Sequence, residues 1–263
     1  MIFLVTTGVN GSYYYFDNLV YRINDEVNYM KSKKTLTEEQ KKLNIDLWII
    51  ALVTIAVYVI YAMIGSGLMA FCKDSSVSVW PRLLVAGSMQ FGIAGLGITI
   101  VCILRKEPFT SFGLRIENVI KAILGTLMCF TPYIVYILVT GQFEGYEPLS
   151  IMVTPDLHKA GIVATIVGTP IIAVFWGFFE GFNYAVISNI IDRRYPVKYK
   201  LFSWGTLVCT LVGIFFHPMS FNLLGIIELI TTFIALYGML IIYKRTENAW
   251  GCVFAFLFIW NAI

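Results

Sequence analysis

Seven stretches of nearly unbroken apolar residues run through the chain, at 45–71, 83–104, 119–140, 160–191, 201–217, 223–243 and 249–263, with short polar segments between them. A helix rises 1.5 Å per residue, so about 20 residues cross the roughly 30 Å hydrocarbon core of a bilayer. The pattern therefore predicts an all-α fold, a polytopic membrane helix bundle of about seven transmembrane helices. The fourth run contains Pro170. Proline lacks the amide that closes a helical turn and crowds the turn before it, so this helix is expected to break there. Residues 6–44 are polar, rich in Tyr13, Tyr14, Tyr15, Asn18, Asn24 and Asn28, and end in Lys31, Lys33, Lys34 and Thr35-x-x-Glu38. That last spacing is a capping box. The chain thus divides into a cytoplasmic arm with a surface helix, 1–44, and a transmembrane helical domain, 45–263.

Composition agrees with the pattern. Of 263 residues 58% are apolar and 13% charged, and the mean hydropathy is +0.77. Ordinary soluble domains are about 45–50% apolar and about 25% charged, so there is no room for a water-soluble catalytic domain, and any chemistry lies in or beside the bilayer. The net charge of +3 is dispersed between apolar runs and too small to argue for nucleic acid, so no nucleic-acid partner is expected and the lipid bilayer is the first partner. The five cysteines, Cys72, Cys102, Cys129, Cys209 and Cys252, sit singly in apolar segments and read as small packing residues. Met1–Val5 lacks the basic and apolar regions of a signal peptide, so the first spanning helix is expected to direct insertion.

Basic residues accumulate on the cytoplasmic side of membrane proteins. With the N-terminus inside, 16 of the 19 Lys and Arg residues fall on inner segments, leaving Lys73, Arg82 and Lys159 outside. The expected location is the plasma membrane, multi-pass, with a cytoplasmic N-terminus. Glycines concentrate within the spans, notably the GxxxG pair Gly177 and Gly181, a spacing that lets helix backbones approach closely.

Ionisable groups in a span cost about 2.5–3.5 kcal/mol on insertion scales, so they normally face protein or water and mark a site. Glu180 lies in the middle of the fourth run, with Asn183 and Tyr184 three and four residues on and therefore on the same helix face, and Ser188 two turns on. His217 ends the fifth run before Pro218; it reads either as a proton-exchanging group or as a cap on free helix-end carbonyls. Asn222 follows, and Glu228 sits in the first turns of the sixth run, where the helix dipole favours a carboxylate. His158 falls in a polar loop. If the fourth helix starts after Pro170, Glu180, His217 and Asn261 share one layer of the membrane; if it runs unbroken from Gly161, Glu180 cannot reach His217.

These residues resemble the CPBP family (CAAX protease and bacteriocin-processing, or Abi, proteins), intramembrane proteases of the glutamic type. The family pattern is Glu-Glu-x-x-x-Arg, then Phe-x-x-x-His, then His-x-x-x-Asn. Glu180-Gly-Phe-Asn-Tyr184-Ala185 is similar to the first element, Gly213-x-x-x-His217 to the second, and Leu257-x-x-x-Asn261, after Asn248-Ala-Trp250-Gly, to the third. Phe109-Thr-Ser-Phe-Gly113-Leu-Arg115 resembles an upstream feature, so the likeness covers about residues 100–263. Gly181, Ala185, Gly213 and Leu257 depart from the pattern.

The resemblance implies a divergent endopeptidase cleaving a membrane-associated or lipidated peptide near the membrane boundary. Glu180 and His217 would activate a water and Asn261 would donate to the oxyanion, with Asn183, Tyr184, Asn222 and Glu228 lining or supporting the site. No cofactor or metal is expected, because one span-end His and scattered carboxylates lack the spacing of a zinc site. Two other readings stand beside it: a non-catalytic scaffold or immunity-type protein of the same fold, and a carrier of a small solute, since broken helices with buried carboxylates also build transport sites.

Overall fold

The computed structural model describes residues 36–199, 201–215, 220 and 222–263; the sequence-predicted arm up to residue 35 and Thr35 lie outside the described residues. Among the described residues there are helices and turns and no strand. Leu43–Ile263 forms one compact unit, and the described residues 36–42 fall outside it.

Helix α1 (Glu38–Lys73) spans 36 residues, about 54 Å at 1.5 Å per residue. Its start is a capping box two residues beyond the one read from the sequence. Thr37 Oγ1 accepts from the Gln40 amide at 3.1 Å, and Gln40 Oε1 accepts from the Thr37 amide at 3.2 Å. Glu38 and Glu39 in the first turn and Lys73 in the last complement the helix dipole.

The next apolar run is two helices, α2 (Val79–Ala94) and α3 (Leu96–Arg105), bent by 62° at Gly95. A side chain at Gly95 would run into the Phe91 ring and approach Phe179 Cδ1 to 2.8 Å, so the bend needs the glycine's missing Cβ. A 3₁₀ turn (Phe109–Phe112) leads to α4 (Val119–Thr140), and a short α5 (Thr154–Lys159) precedes the fourth run.

That run is a 33-residue helix, Ile162–Arg194, whose interruption is a change of pitch. Pro170 sits within α6 (Ile162–Ile172), and from three residues later the backbone follows a π-helical stretch, Ala173–Phe179, before α7 (Glu180–Arg194) resumes normal pitch. Helix α8 (Trp204–Phe215) and α9 (Leu223–Thr246) follow, and the chain ends in α10 (Trp250–Ala255) with a second π stretch, Phe256–Trp260.

Four of these helices are long and apolar enough to cross a membrane, five if the bent α2–α3 pair is one span, and α8 and Trp250–Trp260 are shorter apolar helices. The chain is an all-α bundle with several apolar helices, compatible with an integral membrane protein. Its core is where α7, α9 and α10 meet, around Phe182, Ala185, Leu236, Met239, Cys252 and Phe256. Three of the five free cysteines, Cys102, Cys209 and Cys252, are buried in this core.

Candidate active site

Two π stretches deliver the central pair. A π turn drops a backbone carbonyl out of the regular ladder and re-aims the residues that follow. Glu180 is the first residue after Ala173–Phe179, and Asn261 is the first after Phe256–Trp260. Asn261 Nδ2 donates to Glu180 Oε2 at 3.1 Å. The same nitrogen lies 3.3 Å from the Trp176 carbonyl in the first π stretch and 3.3 Å from the Phe256 carbonyl opening the second. A primary amide has two hydrogens, so three acceptors share them.

The third partner comes from α2. Gln90 Nε2 donates to Glu180 Oε2 at 3.1 Å, so both amides meet the same carboxylate oxygen. Glu180 lies 18 residues from Ile162 and 14 from Arg194, about 27 Å and 21 Å along the helix, which puts it near the middle of the span.

Glu180 opens on a cavity of about 340 Å³. Its wall carries Thr54, Tyr58, Gln90, Asn183 and Tyr184 among apolar residues that include Ile93, Ile187, Val208 and Val212. Tyr184 is held by stacking on Phe256, with ring centroids 5.2 Å apart. Phe179, directly before Glu180, packs edge-on against Phe91 at 4.9 Å.

Of the sequence-derived candidates, the structure gathers Glu180, Asn183 and Tyr184 on the cavity wall, with Asn261 behind the carboxylate. His217 lies outside the described residues. Its motif partner Gly213 lines the cavity, where a Cβ would meet Tyr184 Oη at 2.5 Å, so the phenylalanine of the family pattern has no space there. Asn222 is engaged elsewhere: it N-caps α9, its Oδ1 accepting from the Gly225 amide at 2.8 Å. Glu228 accepts a 3.4 Å hydrogen bond from Tyr136, which in turn accepts from Gln142, and it is not among the cavity residues. His158 is exposed on α5.

The motif departures have packing reasons. A Cβ on Gly181 would stand 2.5 Å from the Cys252 carbonyl oxygen and 2.8 Å from Val253 Cα, so α10 crosses where a second glutamate would project. Leu257, in place of the family's histidine, fills the notch left by Gly177. Ala185 is fully buried in the core. The GxxxG pair is thus the seat of the last helix.

Gln90, Thr54 and Tyr58 were not singled out from the sequence. Gln90 is a lone neutral amide in an apolar run, and nothing near it in the sequence pairs it with Glu180. Among the described residues, no three of His, Cys, Asp and Glu come together as a metal site requires. In comparisons with known proteins the chain matches no family model, no curated protein and no solved structure.

Proposed function

We propose that this chain is an intramembrane endopeptidase of the CPBP type, seated as a multi-pass protein in the plasma membrane with its N-terminus in the cytoplasm. The observation that carries the proposal is the Glu180 carboxylate, held on one oxygen by Gln90 and Asn261 and opening on a mainly apolar cavity in mid-span. With Oε2 occupied by the two amides, the proposal assigns Oε1 to a water. Glu180 takes a proton from that water as its oxygen attacks the peptide carbonyl carbon. The tetrahedral intermediate then breaks its C–N bond and the proton passes to the departing amine. His217, from the family resemblance, shares and orients the water.

Asn261 has a different part here from the oxyanion role implied by the motif. Its amide is committed to Glu180 and to two carbonyls, so it positions the carboxylate. The test is peptide cleavage at a membrane boundary by the purified protein and its Glu180→Gln variant. The proposal expects a folded variant without cleavage, and preserved cleavage contradicts it.

A second reading, a non-catalytic scaffold of the same fold, is favoured by the same three-way commitment of Asn261 and by the closed position at Gly181. It expects no cleavage from the wild type and good tolerance of Glu180→Gln, with Glu180→Ala less thermally stable.

A further inference from the structure

Water attack at Glu180 leaves one charge without a donor. The peptide carbonyl oxygen becomes an anion, and donors aimed at that oxygen are usually the largest single contribution to such a reaction. Asn261 is engaged by Glu180 and two carbonyls, Gln90 by the same carboxylate, and Leu257 stands where the CPBP pattern has a histidine. The donors must come from elsewhere on the cavity wall.

Three side chains on that wall, Thr54, Asn183 and Tyr184, make no side-chain hydrogen bond among the described residues. A helical threonine can turn its hydroxyl back to a carbonyl of its own helix, as Thr131 and Thr140 do. A tyrosine hydroxyl is held too far out for that, and when buried it ordinarily has a partner. Neither Asn183 nor Tyr184 is sealed off. The fully enclosed, unbonded side-chain atoms among the described residues are Arg82 Nη2 and four threonine hydroxyls, so the Asn183 amide and the Tyr184 hydroxyl are open to the cavity.

Their placing relative to Glu180 follows from helix geometry. Asn183 and Tyr184 lie about 4.5 Å and 6 Å further along α7, and about 60° and 40° to either side of Glu180 around its axis. One turn therefore separates the carboxylate from the two donors, room for a water and a carbonyl carbon. The Tyr184 ring is fixed by its stack on Phe256, at 5.2 Å between centroids. Gly213 keeps the hydroxyl clear: a Cβ there would stand 2.5 Å from Tyr184 Oη.

We propose that Asn183 Nδ2 and Tyr184 Oη are the oxyanion donors of this site, an inference that rests on the endopeptidase reading. The water oxygen bonds to the carbonyl carbon, its proton passes to Glu180 Oε1, and the C=O electron pair moves onto the oxygen that Asn183 and Tyr184 meet. When that pair returns, the C–N bond breaks and the proton on Glu180 goes to the amine nitrogen.

The test is steady-state cleavage of one quenched fluorescent peptide with an apolar membrane anchor, by the full-length wild type, Tyr184→Phe, Asn183→Leu and Glu180→Gln in detergent. Tyr184→Phe retains the ring on Phe256 and removes only the hydroxyl, so it carries the test should Asn183→Leu fail to fold. Each substitution is expected to lower kcat about 10²–10³-fold with KM unchanged, the signature of an interaction made only in the transition state. Wild-type kcat in Tyr184→Phe, or a loss confined to KM, with cleavage abolished in Glu180→Gln, overturns the oxyanion assignment and leaves the endopeptidase reading standing. A wild type that cleaves no faster than Glu180→Gln overturns both.

Discussion

Asn261 reaches across from the last helix to hold Glu180 Oε2 at 3.1 Å, joining two residues that each follow a π stretch. The bond couples the pitch change in one helix to that in the other, because the same amide serves the Trp176 and Phe256 carbonyls. Replacing Asn261 by Leu leaves these acceptors short of a donor. The expected loss is about 1–3 kcal/mol, the cost of an unsatisfied buried polar group. Thermal unfolding in detergent measures it, and Asn261→Asp should lose more, since it sets a second carboxylate against Glu180.

Restoring the second glutamate of the family pattern should fail. In Gly181→Glu the new side chain meets the backbone of Cys252 and Val253, which cannot move without displacing α10. Even Gly181→Ala is expected to cost about 1–3 kcal/mol, in the range of overpacked cores. Size-exclusion profiles of the two variants give the outcome: a reduced monodisperse fraction for Ala, and loss of it for Glu.

The apolar runs could be read from the chain because lipid-facing helices need apolar residues over their whole length, whatever packs beside them. The cluster of Glu180 with Asn183 and Tyr184 was legible for a local reason, helical spacing. Gln90 was not, because its bond to Glu180 joins residues 90 apart in sequence. The π stretches left no mark in the sequence either. Pro170 announced an irregularity, yet the pitch changes after it and the helix continues. Glu180 and Asn261 meet with the helix starting at Ile162, a start the depth arithmetic had tied to an inner-face position for Glu180. The capping box was displaced by two residues because Thr35-x-x-Glu38 and Thr37-x-x-Gln40 carry the same signature.

Asn222 and the cavity can be separated by mutation. As the N-cap of α9, Asn222→Ala should lower stability by about 1 kcal/mol. It touches nothing at Glu180, so any cleavage measured at a temperature where both proteins are folded should match the wild type.

Acid should weaken the corner where Arg82 meets Asp156. Hydrogen bonds from Lys159, Arg82 and Ser75 hold the Asp156 carboxyl down at about 2, below its ordinary value. A carboxyl whose folded value is depressed contributes stability that is complete above the unfolded value of about 4 and disappears as the pH falls through about 2. Melting temperatures in detergent between these limits should fall for the wild type more steeply than for Asp156→Asn, which has no proton to gain.

Under the proposed mechanism Glu180 and His217 share a water, and cross-linking of Glu180→Cys to His217→Cys by a short bifunctional thiol reagent tests that pairing without knowledge of a substrate, because two side chains and a water hold the backbones too far apart for a direct disulfide. The five native cysteines are replaced first, and Gln90→Cys with Glu180→Cys serves as the control, since that pair is in hydrogen-bond contact. The account predicts that the His217 pair cross-links as readily as the control. A control that closes while the His217 pair stays open contradicts it and leaves Glu180 as a residue of the scaffold.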